Sequence, residues 1–256
     1  MTYKEAVRNS FSRYARYYDR YSDIQRICAL RLISRIRSGP LSRILDVGCG
    51  TGCYTRLLRD KFPHSKIRAV DVSSEMIEVA AEKLKDADIE FDVIDGEDVR
   101  LDKKYDLITS NASFQWFEDL EGALTNYKAA LNTGGMILFS AFGPLTFREL
   151  QDSVRGLSGT EFSVVSSGFT GRRGLETMLN GIFDDTQVEE MIHRQDHGSV
   201  TELLRNIKYT GVRADGIPWK RMWTARALGG LEDIYRKMHK DIVATYQVFF
   251  CKGVKR

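Results

Sequence analysis

Seven residues at positions 46–52, DVGCGTG, carry the clearest chemical signal in the sequence. An apolar alternating run, 43–47, precedes them, and helical spacing follows over Tyr54–Phe62. The segment therefore predicts a strand, a tight turn and a helix. Glycines at every second position allow backbone angles closed to other residues and let a ligand approach the main chain closely. The start of the helix offers N–H donors and a partial positive charge, so we predict a cofactor site.

The acid that precedes the first glycine separates two cofactor classes. Dinucleotide-binding turns have the spacing G-x-G-x-x-G and hold a pyrophosphate at the helix N-terminus. Here the spacing is D-x-G-x-G-x-G, and the carboxylate of Asp46 would repel a pyrophosphate but suit an ammonium group. This favours S-adenosylmethionine, which carries an amine and a sulfonium. The pattern resembles motif I of the class I methyltransferases; the alternative is a glycine-rich turn in another α/β protein.

Acids also follow the next two predicted strands. The strand 66–71 ends in Asp71, about 20 residues beyond the glycines, where an acid accepts hydrogen bonds from a ribose diol. The alternative role for Asp71 is to cap the helix that begins at Ser73-Ser74. The strand 89–94 is followed by Asp95, which can accept from an adenine amino group, and by Gly96, which leaves room for the ring. The predicted cofactor-binding residues are Asp46, Gly48, Cys49, Gly50, Asp71, Val72, Met76, Asp95, Gly96, Glu97 and Asn111.

Strands and helices alternate from residue 43 to residue 141, with further strands at 105–110 and 136–141 and a helix over 119–131. This order predicts a doubly wound, Rossmann-like α/β sheet, mostly parallel, with the site at the carboxyl ends of its strands. After residue 143 the alternation breaks. We predict helices at 146–154, 173–179, 199–209 and 224–239, a strand at 187–193, and an antiparallel last strand at 242–251.

We predict a single domain over residues 1–256 with three parts. Residues 1–40 form an N-terminal helical lid of two helices, and residues 41–142 form the cofactor-binding core. Residues 143–256 form a substrate roof, with pieces around 146–180 and 212–240, and the last strands. In the second lid helix, apolar residues recur every three positions, which indicates a helix. They are Ile24, Ile27, Leu30, Ile33 and Ile36.

The composition is that of an ordinary globular protein: 256 residues, 43% hydrophobic and 29% charged. No apolar run approaches the roughly 20 residues of a membrane span, and the N-terminus lacks the apolar core of a signal peptide. The four cysteines form no CxxC pair and the four histidines are scattered. We therefore expect a cytoplasmic protein with reduced thiols, no metal site and no membrane partner.

Charge is distributed unevenly although the net charge is only +3. Residues 1–37 hold nine basic and three acidic residues, and residues 205–240 hold nine and three, so each segment carries +6. Residues 41–131 hold twelve basic and eighteen acidic residues and carry −6. Two interpretations remain open. The basic segments are either solvated helix faces or a surface that attracts an anionic partner.

Two further stretches are distinctive: SNxxxQW at 110–116 and LLxxIKxxG at 203–211. Together with several less specific stretches, they resemble the malonyl-[acyl-carrier protein] O-methyltransferase family of biotin synthesis. The chain departs from the family pattern at 180–183 and 241–244, in the predicted roof and last strand. The other matching stretches are 11–19 with Gln25, 139–143 with 146–150, and Thr245-Tyr246.

The resemblance implies methyl transfer from S-adenosylmethionine to the free carboxylate of a malonyl group on acyl carrier protein. That carboxylate is ionised near neutral pH, so no general base is needed, and catalysis becomes positioning and exclusion of water. Tyr18, Gln115 and Trp116 are then expected to line the methyl channel. Arg148 is the candidate clamp for the acceptor carboxylate, with a helix-surface arginine as its alternative. Candidate contacts with the acidic carrier are Arg13, Arg16, Arg172, Arg173, Lys208 and Arg213.

Other functions are compatible with the same fold. One is a class I methyltransferase of a small free carboxylic acid or a quinone precursor. Another is a cofactor-binding regulator without catalytic activity. A nucleic-acid methyltransferase would also explain basic segments, but enzymes that act on exocyclic base amines commonly show an (N/D)PPY-like turn after the fourth strand. Here that turn is SNASFQW, without proline, so we expect no nucleic-acid partner.

Overall fold

The computed structural model describes residues 1–37, 39–158, 163–210 and 224–256. In this part of the chain seven strands form one sheet in the order β3-β2-β1-β4-β5-β7-β6. β7 is antiparallel to both of its neighbours, and the other pairs are parallel, as predicted from the sequence. The strands are β1 (Arg43–Val47), β2 (Lys66–Asp71), β3 (Ile89–Val93), β4 (Tyr105–Asn111), β5 (Leu131–Phe142), β6 (Asp185–His197) and β7 (Ile242–Val254).

Side-chain oxygens cap several of the helices. Thr2 forms a reciprocal capping box with Glu5 at the start of α1, and Ser73 and Ser199 accept hydrogen bonds from the first turns of α4 and α8. The described α-helices are α1 (Tyr3–Tyr14), α2 (Asp23–Arg35), α3 (Cys53–Lys61), α4 (Ser74–Lys83), α5 (Leu120–Ala130), α6 (Arg148–Ser158), α7 (Arg172–Ile182), α8 (Val200–Tyr209) and α9 (Ala225–His239). None of the described helices is both long and apolar enough to cross a membrane.

The sheet is buried on both faces, which produces two apolar cores. Successive side chains on a strand point to opposite faces, so the neighbours Ile44 and Leu45 on β1 enter different cores. The first core lies against α2, α3, α6, α8 and α9, and the second lies against α5 and α7. This packing on both faces holds the strand ends at fixed positions.

The apolar residues of α2 that recur every three positions do not all face the core. Ile24 is buried, whereas Ile27 and Leu30 are 36% and 55% exposed. A three-residue step falls about 60° short of a full turn of an α-helix, so a strict three-residue pattern drifts around the helix. The buried apolar residues Ile24, Cys28 and Leu32 are four positions apart, and the helix itself is present as predicted.

The strand predicted to start at Met136 begins five residues earlier, at Leu131. The earlier residues belong to the strand because Leu131 pairs with Tyr105 of β4. Gly134, with a left-handed φ of 78°, also donates its N–H to the carbonyl of Lys255 at 2.7 Å. The register with β4 shifts between Tyr105 and Leu107. β6 and β7 are also longer than predicted, because they pair with each other along 13 residues each.

Candidate active site

A cavity that is partly open to solvent, with about 780 Å³ of empty space, lies at the carboxyl ends of β1 to β4. It lies beside the neighbouring strands β1 and β4. After β1 the following strands β2 and β3 extend the sheet to one edge, and after β4 the strand β5 extends it towards the other. Residues of α1 form one wall of this cavity. Most of the predicted cofactor residues line it: Gly48, Gly50, Asp71, Val72, Met76, Asp95, Gly96, Glu97 and Asn111. Asp46 and Cys49 are buried and do not line it.

The glycine-rich turn gives the ligand space and few donors. Gly48 has a left-handed φ of 69°, and a Cβ on it would overlap the hydroxyl of Ser113. The amides of Gly48 and Cys49 both donate to the carbonyl of Val70, at 2.8 and 3.0 Å. The amide of Gly50 donates to Asp71 Oδ2 at 2.9 Å. These three N–H groups are already bonded, which disfavours a pyrophosphate at the turn.

Asp71 is held rigidly at the end of β2. Besides the bond from Gly50, its Oδ1 accepts from the amide of Ser73 at 2.9 Å. Burial raises the pKa of Asp71, and these backbone hydrogen bonds act against that rise. Each carboxylate oxygen still has a lone pair for a further donor, such as a sugar hydroxyl. The residue thus lines the cavity and also accepts from the amide of Ser73, which caps α4; its role towards a ribose stays a prediction.

Asp46 is fully buried two residues before Gly48. Its Oδ2 accepts from Thr55 Oγ1 at 2.6 Å, whereas Oδ1 has no hydrogen-bond partner among the described residues. Burial raises the pKa of Asp46 to about 7, although the bond from Thr55 opposes this. A buried carboxylate oxygen without a partner is rare in folded proteins. A positively charged ligand in the neighbouring cavity, such as S-adenosylmethionine, would stabilise the ionised form of this carboxylate.

At the opposite end, Lys4 of α1 forms ion pairs with both predicted adenine-side acids. Its Nζ lies 2.8 Å from Asp95 Oδ2 and 2.7 Å from Glu97 Oε2. Partial burial lowers the pKa of Lys4, but the bonds to these acids outweigh it and raise the value. A Cβ on Gly96 would lie 2.6 Å from Val47, so only glycine fits between the strand ends.

Sequence reasoning missed the lid residues that line the cavity, Lys4, Val7 and Phe11. They are three and four positions apart and so share one face of α1. The capping box at Thr2 fixes where that helix begins and could have revealed this face. The other lining residues that were not predicted are Val47, Ile94, Ala112, Ser113 and Phe117.

The turn after β4 forms the remaining wall. Asn111 accepts from Ser140 Oγ at 2.9 Å and donates from Nδ2 to the main-chain carbonyl of Gln25 at 3.0 Å. Its side chain is therefore engaged with the protein on both sides. The next residue, Ala112, has φ of 55°, a conformation that is unfavourable for a residue with a side chain and is often found at functional sites.

The four predicted catalytic residues divide into two groups. Tyr18 and Trp116 line the cavity. Burial raises the pKa of Tyr18, with nearby Asp71 adding to the effect, so its hydroxyl keeps its proton. Gln115 and Arg148 do not line the cavity. The side chain of Gln115 donates instead to the carbonyl of Ala112 at 2.7 Å and stabilises the turn after β4.

Arg148 begins α6 and lies away from the cavity. Its side chain is 48% exposed, and its Nε lies 3.2 Å from Glu149 Oε1. Glu149 in turn accepts two hydrogen bonds from Thr245 of β7. These surroundings match the alternative interpretation, a helix-surface arginine. Arg148 is therefore not placed to bind an acceptor carboxylate in this cavity.

The fold and this cavity define a class I methyltransferase. Residues 44–135 match a family model described as a methyltransferase domain. The fold is similar to that of the YcgJ protein from Bacillus subtilis (TM-score 0.63, 17% identity, 90% of this chain and 98% of that one). It is also similar to a phosphoethanolamine N-methyltransferase of Haemonchus contortus, crystallised with S-adenosyl-L-methionine (TM-score 0.56, 18% identity, 93% and 56%).

Sequence similarity is more specific. The chain is 34% identical to the malonyl-[acyl-carrier protein] O-methyltransferase of Acetivibrio thermocellus, over 99% of this chain and 94% of that protein. It is 30% identical to the protein of the same name from Halalkalibacterium halodurans, over 96% and 97%. The chain belongs to the malonyl-[acyl-carrier protein] O-methyltransferase family.

Proposed function

We propose that this protein methylates the free carboxylate of a malonyl group carried on acyl carrier protein, with S-adenosylmethionine as its cofactor. The product is a malonyl methyl ester, which we propose as the primer for pimeloyl synthesis on the route to biotin. The observation that carries the proposal is family membership along nearly the whole chain. The cavity agrees with it, because acids line it and the first amides of its glycine turn are already bonded.

We propose the following cofactor contacts. Asp71 would receive the ribose diol, Asp95 and Gly96 would border the adenine, and Asp46 would compensate the charge of the amino-acid end. When bound, the cofactor supplies an electrophilic methyl group on a positively charged sulfur. Val72 and Met76 supply apolar surface beside Asp71.

The reaction needs little acid–base chemistry from the protein. A malonyl carboxylate is already ionised near neutral pH, so its oxygen can attack without a base. One C–O bond forms while one C–S bond breaks, the leaving sulfur keeps the electron pair, and no proton moves. The protein has to align the two reactants and exclude water. Tyr18 and Trp116 are the side chains we propose for this, because both line the cavity.

The lid is fastened to the core close to the cofactor cavity. Asp19 accepts from Thr51 Oγ1 at 2.5 Å and from Lys83 Nζ at 2.6 Å, and Ser12 and Ser73 share a hydrogen bond of 2.9 Å. These contacts hold residues 1–21 over the strand ends, where they can exclude water. Residues 143–256 contribute none of the described residues that line this cavity. The division into lid, core and roof stays a prediction.

For the carrier we propose a docking surface made of the ends of α1 and α8. The ring of Tyr209 stacks on Tyr21 at 4.6 Å and lies 5.1 Å from Tyr14. This brings Lys208 beside the end of α1, close in sequence to Arg13 in the helix and to Arg16 just beyond it. Acidic carriers would be attracted to this surface, mainly through encounter rate and register. Gly211 of the LLxxIKxxG stretch and Arg213 lie outside the described residues.

The other predicted carrier contact is in a different place. Arg172 begins α7, whose Leu175 and Leu179 belong to the second core, whereas the leucines of α8 belong to the first. Its Nε is paired with Glu176 at 2.8 Å. Arg172 and Arg173 are thus on the opposite face of the sheet from α8.

We also propose a cytoplasmic location, in keeping with the four free cysteines.

The test is to incubate the protein with methyl-labelled S-adenosylmethionine and four acceptors in parallel: malonyl-carrier, acetyl-carrier, malonyl-coenzyme A and free malonate. We expect label on malonyl-carrier at a higher rate than on malonyl-coenzyme A and free malonate. Acetyl-carrier, which lacks a free carboxylate, should stay unlabelled. No label on malonyl-carrier would contradict the proposed function, and equal rates on free malonate would contradict the role of the carrier.

A further inference from the structure

A second, smaller cavity shares Trp116 with the cofactor cavity. Its walls are aromatic and apolar, and no charged side chain lines it in the described part of the chain. Building on the proposed function, we propose that this cavity receives the acceptor carboxylate. The amide of Gln25 and the hydroxyl of Tyr246 would bind the carboxylate, with no fixed positive charge among the described lining residues.

Gln25 has unused hydrogen-bonding capacity. Gln25 is only 8% exposed, and its Oε1 has no hydrogen-bond partner among the described residues. The side-chain amide nitrogen of Gln25 also donates to no other described residue. Because neither end is held by the protein, rotation about the last side-chain bond exchanges oxygen for NH2 at little cost. The amide can therefore present a donor to a carboxylate inside the cavity.

Tyr246 has the same property. It is 3% exposed, its ring lies 5.1 Å from that of Phe147, and its hydroxyl makes no hydrogen bond to a described residue. Burial raises the pKa of Tyr246, so the hydroxyl stays protonated and can donate. The other two polar residues of the cavity are already satisfied. Thr146 donates to the carbonyl of Gln247 at 3.2 Å, and Thr210 to that of Asn206 at 3.0 Å.

The second cavity adjoins the cofactor cavity, because Trp116 lines both of them. The main-chain carbonyl of Gln25 accepts from Asn111, which lines the cofactor cavity. Trp116 has Phe11 of the lid at 5.7 Å and Phe169 of the second cavity at 5.2 Å between ring centres. Gln25 is therefore one hydrogen bond away from Asn111, which lines the cofactor cavity.

Backbone conformation supports a function for this cavity. Phe147, which lines it, has φ of 62°, a left-handed conformation that is rare for a bulky residue. Its amide donates to the carbonyl of Thr245 at 2.8 Å, which holds the ring beside Tyr246. Strain of this kind persists only where surrounding contacts enforce it, and it is concentrated at functional sites.

The absence of a cation from the described walls suits the chemistry. The reactants are an anion and a cation, and the products are both neutral, so charge disappears in the transition state. A fixed arginine would stabilise the reactant carboxylate more than the transition state and would slow the methyl transfer. Uncharged donors orient the carboxylate while leaving its oxygen reactive in surroundings without water.

The test compares Gln25→Leu and Tyr246→Phe with the wild-type chain. We expect kcat/KM for malonyl-carrier to fall by about 10- to 100-fold in each variant, the value of a hydrogen bond to a charged group. The dissociation constant for S-adenosylmethionine should stay the same. If Gln25→Leu loses cofactor binding, Gln25→Met replaces it, because its side chain has nearly the shape of glutamine.

Two control variants separate this effect from general damage. Tyr235→Phe removes another buried tyrosine hydroxyl, which bonds to the carbonyl of Val243, and Gln187→Leu removes an exposed amide on β6. Both should retain the wild-type KM for malonyl-carrier. An active wild type with unchanged kcat/KM in both cavity variants would overturn this inference and leave the proposed function intact. A wild type inactive on malonyl-carrier would overturn both.

Discussion

The ammonium of Lys4 lies 2.8 Å from Asp95 Oδ2, so the first turn of the chain's first helix is bound to the loop after β3. Both side chains are only partly exposed, at 31% and 24%. The pair spans the predicted adenine end of the cofactor cavity. It therefore holds α1 against Asp95, one of the residues that we propose border the adenine.

We predict that Lys4→Ala weakens cofactor binding. Partly exposed ion pairs contribute up to about 1 kcal/mol, so the dissociation constant for S-adenosylmethionine should rise by about two- to fivefold, measured by calorimetric titration. Added salt should reduce the difference, because it screens the wild-type pair. Arg16→Ala removes a more exposed pair with Glu82 and should leave the constant unchanged. Equal effects in both variants would contradict the prediction.

Asp46 predicts a pH dependence of cofactor binding. Its pKa in the free protein is about 7, and a cationic ligand favours the ionised carboxylate, so binding should release a proton near neutral pH. Affinity should rise as the pH increases from 6 to 8, by at most about tenfold per pH unit below the pKa. In Asp46→Asn the affinity should vary less over this range. Titrations in buffers of different ionisation enthalpy measure the released proton directly.

The same residue affects the stability of the unliganded protein in the opposite direction. Its carboxyl has a higher pKa in the folded state than the unfolded value of about 3.9. The stabilisation from its protonated form is complete below that unfolded value and is lost as the pH rises through about 7. The unfolding temperature of Asp46→Asn should fall less than that of the wild type between pH 5 and pH 8. Parallel curves would contradict the assigned pKa.

Gly48 is predicted to tolerate no side chain. Gly48→Ala adds strain at φ of 69° and overlaps Ser113 in the cofactor cavity, so we expect loss of measurable cofactor binding. Gly134→Ala is the matched control, since Gly134 has φ of 78° but open space around its Cβ position. It should destabilise the protein by about 1–3 kcal/mol through strain alone and preserve the dissociation constant. Normal cofactor binding by Gly48→Ala would contradict the role of the turn.

The parts of the site that were predictable are those encoded by local sequence. A glycine turn after a strand, or an acid at a strand end, has a position fixed by the sheet, which is why Gly48, Asp71 and Asp95 are found together. The direction of a side chain is not encoded in this way. Gln115 and Arg148 belong to matching stretches, but one braces a turn and the other pairs with its neighbour.

Residues that approach from distant segments could not be predicted from spacing. Lys4 reaches Asp95 across 91 positions, and Gln25 and Tyr246 meet at one cavity from α2 and β7. Such contacts depend on how the lid and the last strand pack against the sheet. Gln25 and Tyr246 belong to stretches that resemble the family, whereas Lys4 does not. Which polar atoms of these residues are hydrogen-bonded depends on the folded chain.

The last prediction distinguishes two carrier surfaces. Arg13→Glu reverses a charge on the α1–α8 surface and should raise KM for malonyl-carrier several-fold without changing cofactor affinity, because the carrier is acidic. The effect should shrink as salt increases from 50 to about 300 mM, since exposed charges are screened. Arg172→Glu changes charge by the same amount on the opposite layer of the sheet, and we expect a smaller effect from it. Initial rates at varied carrier concentration measure both variants. A larger rise in KM for Arg172→Glu would move the docking surface to α7, and no rise in either variant would remove both clusters from the interface.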